Sequence, residues 1–202
     1  MLATIYDPLV WVLTAGRVGA LRRATLSAAG VRPGDDVLDV GCGTGALVVR
    51  VREVVRPDAR VAGLDTSRPM LARAQRRARR AGVKIELVAG RAEELPFPDA
   101  SFDIVLLSLV LHHLPASHRA QAITEAARVL RAGGRVVVVE FARSTGTGSR
   151  LRAHALLHGS TAASAVDPAV QLTAGGFTDV SLPPCPVPAL GIARASLPAN
   201  RS

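Results

Sequence analysis

The chain of 202 residues carries Lys+Arg 25 against Asp+Glu 16, a net charge of +9, with 49% hydrophobic and 20% charged residues. This balance excludes a disordered chain, a collagen-like repeat and a coiled coil, and the length suits a single domain built on one core. The charge alone would raise nucleic acid as a partner, but only Lys84 among the basic residues is lysine, the arginines run along the whole chain, and aromatics for stacking bases make up 3%, so no nucleic-acid partner is expected.

The chain opens on MLATIYDPLVWVLTAGR, which has no basic leader and is interrupted by Asp7 and Pro8. It is predicted to be neither a signal peptide nor a membrane span, which takes ~20 apolar residues. A helix is predicted over Gly19–Ala29, stopped by Gly30 and Pro33. From there the pattern is regular. Val37–Val40 reads as a strand, Gly41–Gly45 as a glycine loop, Ala46–Val55 as a helix and Val61–Leu64 as a second strand closed by Asp65. Ser67 caps a helix that has Pro69 in its first turn and runs to Ala81. Strands over Lys84–Ala89, Phe102–Leu109 and Arg135–Phe141, with a helix over Ser117–Arg131 and a stop at Gly133–Gly134, continue the alternation. The near-continuous apolar runs DIVLLSLVL and RVVVVEF suit strands covered on both faces.

Strands separated by helices predict an α/β fold, a Rossmann-like doubly wound, mainly parallel sheet with helices on both faces. The pattern weakens over Ala142–Thr173, and Thr178–Leu182 with Leu190–Ala195 then form a C-terminal antiparallel hairpin around PPCPVP. The whole chain, 1–202, is one domain: an N-terminal helical cap over 1–30, a cofactor-binding core over 31–143, and a variable segment with the terminal strands over 144–202. Cys42 and Cys185 supply neither a disulfide framework nor a zinc site, which makes a reducing, cytoplasmic setting the expectation and leaves no metal to assign.

VLDVGCGTG, Val37 to Gly45, places glycine at three alternate positions between a strand and a helix. Glycine accepts positive φ and lets a ligand approach the backbone, and the helix N-terminus offers free N–H groups. This is a nucleotide-type cofactor site. Gly41 to Ala46 also satisfies the looser dinucleotide pattern G-x-G-x-x-G/A, and Asp65, 20 residues after Gly45, suits the ribose of either NAD or S-adenosylmethionine. Glycine spacing leaves the cofactor open.

Four ordered segments narrow it: VLDVGCGTG (37–45), GLDTSRPML (63–71), GRAEELPFPDASFDIVLLSLVLHHLP (90–115) and RVLRAGGRVVVVEFAR (128–143). Together they resemble the class I S-adenosylmethionine-dependent methyltransferases, in particular the group that contains the ubiquinone/menaquinone-biosynthesis C-methyltransferases and many small-molecule methyltransferases. The resemblance implies S-adenosyl-L-methionine as cofactor and a small, fairly apolar acceptor methylated on carbon or oxygen: a quinone, phenol, lipid or secondary metabolite. It also implies roles for single residues. Gly41, Gly43 and Gly45 would line the methionine and ribose part of the cofactor, Asp39 would orient its amino group, and Asp65 would bind the ribose. Met70 matches the position that packs on adenine.

The family usually carries Asp or Asn where Arg91 stands, to accept from the adenine amine. Arginine has only donors. Adenine is then read by the backbone at Arg91 and Ala92, or Arg91 stacks on the ring. Ser108 and the pair His112 and His113, in SLVLHHLP, fall where the family forms the floor between methyl donor and acceptor; either histidine suits a general base for a phenol or enol. The absence of an Asn/Asp-Pro-Pro-Tyr/Phe tetrad at this place counts against methylation of base amines. Arg73, Arg76, Arg77 and Arg80 share one face of a helix, expected to be its solvated outer face. Acceptor choice is assigned to Met1–Gly30, including Tyr6, Asp7 and Pro8 and the apolar Val10, Trp11 and Leu13, and to Ala142–Thr173. An RNA or protein methyltransferase and a nicotinamide-dependent oxidoreductase are the alternatives, and no oligomeric state follows from the sequence.

Overall fold

The computed structural model describes residues 14–141 and 167–199. Helix α1 (Val18–Ala29) is closed by Gly30 at φ 57°, whose N–H returns to the last turn. Strand β1 (Val37–Val40), helix α2 (Ala46–Val54), strand β2 (Val61–Asp65), helix α3 (Arg68–Arg80) and strand β3 (Glu86–Ala89) follow. Next come strand β4 (Phe102–Ser108), a 3-10 turn (Leu111–His113), helix α4 (Ala116–Val129) and strand β5 (Leu130–Phe141). Helix α5 (Pro168–Ala174) and strands β6 (Thr178–Ser181) and β7 (Leu190–Ser196) complete the described chain.

The sheet runs β3-β2-β1-β4-β5-β7-β6. β1 to β5 are parallel, and β7 lies antiparallel to both β5 and β6, as the predicted fold requires. β1 sits between β2 and β4, so the strand order reverses there and opens a crevice beyond the carboxyl ends of β1 and β4. The glycine loop and the Leu109–His113 turn both emerge at that crevice.

Each central strand divides its side chains between two cores. Leu38 and Val40 face the core that α4 and α5 close with Ile123, Ala126 and Leu172. Val37 faces the other, closed by Leu21 of α1 and Leu47, Val48 and Val51 of α2. All four β1 residues are buried, including the single acid Asp39, which shares Val37's face. Burial on both faces explains why these strands read as unbroken apolar runs.

Two elements depart from their predicted form. β5 already begins at Leu130, opposite Phe102, and Gly133 at φ 73° bends it within the strand before Arg135 pairs with Ile104. The helix ends at Val129, and Gly133–Gly134 fall within a register shift of the strand that follows it. Helix α5 falls inside the stretch read as patternless: Asp167 accepts from the N–H groups of Ala169 and Val170, Pro168 opens the helix and Gly175 ends it. Its cap signature was present, but one buried residue, Leu172, is too few to produce a period. The predicted N-terminal contributions of Tyr6, Asp7, Pro8, Val10, Trp11 and Leu13, and those of 142–166, lie outside the described residues.

Gly45, at φ 76°, starts α2 and fixes its distance from α3. An added Cβ would lie 2.7 Å from Ala74 Cβ and 2.9 Å from Ala74 Cα. Gly45→Ala is therefore expected to cost about 1–3 kcal/mol of stability, from the strained φ and the displaced helix. A urea midpoint equal to wild type would contradict this packing.

Candidate functional site

A cavity of about 600 Å³ opens at the crevice, lined by Gly41 and Gly43 of the glycine loop, Asp65 at the end of β2, Met70 of α3, Arg91 with Ala92 after β3, and His113. A smaller cavity of about 60 Å³ adjoins it through Gly41 and Leu109, and takes in Asp39, Ser108 and Arg22. Nine of the eleven sequence-predicted positions line these two cavities, and Gly45 lines neither, serving instead as the N-terminal anchor of α2. The other exception is His112. Its side chain is 8% exposed and turned to Glu140, so of the two histidines only His113 lines the cavity.

Gly41, at φ 70°, is glycine for a steric reason: a Cβ there would lie 2.7 Å from Val110 Cγ2. Gly43, at φ 54°, donates its N–H to Asp65 Oδ2 at 2.8 Å, while Ser67 N–H donates to Asp65 Oδ1 at 2.8 Å. One carboxylate so ties the glycine loop to the start of α3. Each of its oxygens has a further lone pair. Ser67 in turn caps α3 by accepting from Met70 N–H.

Arg77 corrects the outer-face expectation. Its guanidinium turns back to donate to Thr44 O at 2.9 Å and Thr44 Oγ1 at 2.8 Å, bracing the glycine loop from behind, while Arg76 and Arg80 are exposed as expected. The signal was available: Arg77 lies nearest Ala74 and Ala78, the buried side of the helix.

Asp39 is the site's electrostatic anomaly. It is 1% exposed, and its Oδ2 has no hydrogen-bond partner among the described residues. Burial first, and the Asp65 charge second, push its carboxyl up to about 8; the Val48 backbone and Arg22 offset part of this. A buried carboxyl short of a partner is costly unless a cation joins it. A ligand with an ammonium and a sulfonium fits this place.

Arg91 Nε donates to Glu93 Oε1 at 2.9 Å, with Arg91 Nη2 on the same oxygen, and Arg91 pairs with Glu94 as an isolated antiparallel bridge. Burial works to raise the Glu93 carboxyl, but Arg91, a backbone N–H and nearby His118 hold it below the usual range. The guanidinium is committed to Glu93, which leaves backbone groups beside Ala92 to face the cavity.

Sequence reasoning missed three participants. Arg22, from α1, borders the small cavity and bears on Asp39. Leu109 adopts φ 58°, rare for a non-glycine residue, and lines both cavities. Glu140 is buried beneath the 109–113 turn. Only the last carried a sequence signal, as the lone acid in the strand RVVVVEF. Among the described residues no cluster of His, Cys, Asp and Glu could hold a metal, and no helix is long and apolar enough to cross a membrane.

A family model described as a methyltransferase domain matches residues 37–134. The ubiquinone/menaquinone biosynthesis C-methyltransferase UbiE of Pseudomonas entomophila is 38% identical over 145 residues, 71% of this chain and 56% of that protein. A demethylmenaquinone methyltransferase of Symbiobacterium thermophilum is 36% identical over 144 residues, 70% and 57% of the two chains. The chain spans just over half the length of these curated relatives. Among solved structures, a SAM-dependent methyltransferase from Aquifex aeolicus superposes with a TM-score of 0.71 at 18% identity, covering 87% of this chain and 89% of that one. The [4+2]-cyclase SpnF superposes at 0.66 with 22% identity, covering 90% and 81%. At these identities the likeness is one of fold, and a cyclase among the neighbours underlines that fold alone does not fix the reaction.

Proposed function

We propose that this chain, which belongs to the class I S-adenosylmethionine-dependent methyltransferases, transfers a methyl group to carbon or oxygen of a small, largely apolar acceptor, a quinol or related phenol. The observation that carries this reading is the buried Asp39 carboxyl beside the glycine loop, short of a partner and poised for a cation. S-Adenosyl-L-methionine, the cofactor of the family, supplies a methyl carbon already activated by positive sulfur. Asp39 and Arg22 would hold its amino and carboxylate ends, Asp65 its ribose, and Met70 with the Arg91–Ala92 backbone its adenine. Gly41, Gly43 and Ser108 would leave room for its chain.

With the donor so activated, the protein's task is alignment and exclusion of water. Leu109 and Val110 line the cavity together with His113, Leu114 and Pro115, while His118 lies 3.4 Å from Glu93, beside the Arg91–Ala92 segment. Around His113 the lining is apolar, with Leu109, Val110, Leu114 and Pro115, which suits an aromatic acceptor with an ionisable hydroxyl. His113 would take the hydroxyl proton as the ring carbon or oxygen attacks the methyl group; its pairing with an acidic hydroxyl is the kind of transfer imidazole serves near neutral pH. Residues 1–30 and 142–173 would complete the acceptor side. A cytoplasmic setting goes with this reading, since Cys42 and Cys185 are both free thiols.

Titration calorimetry with S-adenosylhomocysteine and with NADH tests the cofactor; binding of NADH alone would overturn the reading. Labelled methyl donor offered with demethylmenaquinol, simple phenols and lipids tests the acceptor. His113→Ala is expected to lower turnover by about a hundredfold while S-adenosylhomocysteine binds within about threefold of wild type. Unchanged turnover would remove His113 from the proton transfer.

A further inference from the structure

One chain of contacts joins the buried acid Glu140 to the candidate base His113. Glu140 is 1% exposed near the carboxyl end of β5, within an otherwise apolar run. Burying a carboxylate there costs several kcal/mol unless every lone pair is used. Its Oε1 accepts from Leu111 N–H at 2.7 Å and from His112 N–H at 3.4 Å; its Oε2 meets His112 Nδ1 at 2.8 Å. All three bonds go to the 3-10 turn that shapes the cavity wall. The imidazole of His112 packs against that of His113 with centroids 3.9 Å apart, and meets Phe141 in a T-shaped contact at 5.1 Å.

We infer that Glu140 is a positioning residue for the reacting face: through the 109–113 backbone and the His112 ring it sets the orientation of His113 toward the acceptor. The inference rests on the methyltransferase reading for its kinetic consequence alone. Leu109, at φ 58°, marks the start of the same turn and needs an outside constraint to persist. Glu140 supplies it by taking the Leu111 and His112 N–H groups in place of solvent. Its second oxygen, as an acceptor facing Nδ1, selects the His112 tautomer with the proton on Nδ1. This is the carboxylate–histidine logic by which an acid holds an imidazole plane without entering the chemistry itself. The ring so fixed braces His113 by close contact, the two planes inclined at 44°.

Glu140→Gln separates this role from simple bracing. The amide oxygen retains the backbone bonds, but the amide nitrogen faces His112 Nδ1 as a donor and forces the other tautomer. In the S-adenosylhomocysteine complex of the full chain, nitrogen-15 imidazole spectra are expected to show the His112 proton leaving Nδ1 and the His113 ring signals shifting. Affinity for S-adenosylhomocysteine should remain within about threefold, and kcat with demethylmenaquinol should fall about tenfold to a hundredfold with little change in KM. Loss of kcat and cofactor affinity in equal proportion, or His113 signals identical to wild type, would overturn the inference. Should Glu140→Gln fail to fold, His112→Asn keeps a donor on Glu140 while deleting the ring that packs against His113. The same kcat loss with intact cofactor affinity is then expected, and wild-type turnover would overturn the inference. If wild type methylates no quinol, the functional reading fails on that acceptor, while the imidazole spectra still decide the role of Glu140.

Discussion

Replacing Asp65 by alanine is expected to abolish measurable cofactor binding, with a loss of about 3 kcal/mol or more, over a hundredfold in Kd. Two separate effects combine in that loss. Asp65 accepts from Gly43 and Ser67 N–H groups, so its removal releases the glycine loop from α3 before any ligand arrives. The variant also loses the charged acceptor proposed for the two ribose hydroxyls, where each hydrogen bond to an ionised group is worth about 1.5–3 kcal/mol. Asp65→Asn distinguishes the two, since an amide oxygen can serve only one of the two N–H groups while its nitrogen repels the other. Its affinity should fall between wild type and alanine. Titration calorimetry with S-adenosylhomocysteine gives both values, and circular dichroism confirms that the sheet survives. Binding of the alanine variant within tenfold of wild type would remove Asp65 from the site.

How far such a residue could be read from sequence depends on what made it visible. Asp65 stood out because strand end, spacing and chemistry agreed, and the β3-β2-β1-β4-β5-β7-β6 order places it at the predicted crevice. The glycines were visible for the same reason, as turn geometry leaves a local mark. Glu140 and Arg22 were not, because their partners lie far along the chain: Glu140 reaches Leu111 across 29 positions, and Arg22 bears on Asp39 from another helix. Such pairings leave no periodicity. His112 and His113 show the limit from the other side. Adjacent in sequence and alike in chemistry, they diverge only because the 3-10 turn points one ring at Glu140 and the other into the cavity.

The arginine excess also resolves into particular contacts. Arg131 joins Asp36 and Asp103, Arg128 joins Glu125 and Asp99, and Arg135 joins Asp35, all at 2.6–2.8 Å. Pairs of this kind contribute little each when exposed, but here they close the end of the sheet opposite the crevice. Arg77 reaches the glycine loop, Arg91 the large cavity and Arg22 the small one beside Asp39. Arg77 is turned inward onto Thr44, and Arg91, though exposed, is paired with Glu93.

Asp39 yields the second large effect, and its sign runs against the usual carboxylate. In the unfolded chain it ionises near 3.8; in the folded, ligand-free protein burial first and Asp65 second raise it to about 8. Between these values the native state binds the proton that the unfolded state has lost, so this residue's contribution to stability falls as pH rises from about 4 to about 8 and is constant above. Chemical denaturation of wild type should therefore lose more stability between pH 6 and pH 8 than Asp39→Asn, whose amide does not titrate; parallel curves would show that Asp39 is not held protonated. Cofactor binding reverses the balance. A bound ammonium favours the carboxylate and draws its ionisation back down, so binding at pH 7 should release close to one proton, detected in buffers of different ionisation enthalpy. Affinity for S-adenosylhomocysteine should rise with pH by up to about tenfold per unit until Asp39 ionises on its own near pH 8. Asp39→Asn, with neither charge nor proton to give, should bind about a hundredfold more weakly at pH 8, a loss typical of an unpaired buried cation. The same substitution thus flattens the stability profile and removes the ligand, which is the outcome expected of a carboxyl kept at the cost of fold stability for a cation it has yet to meet.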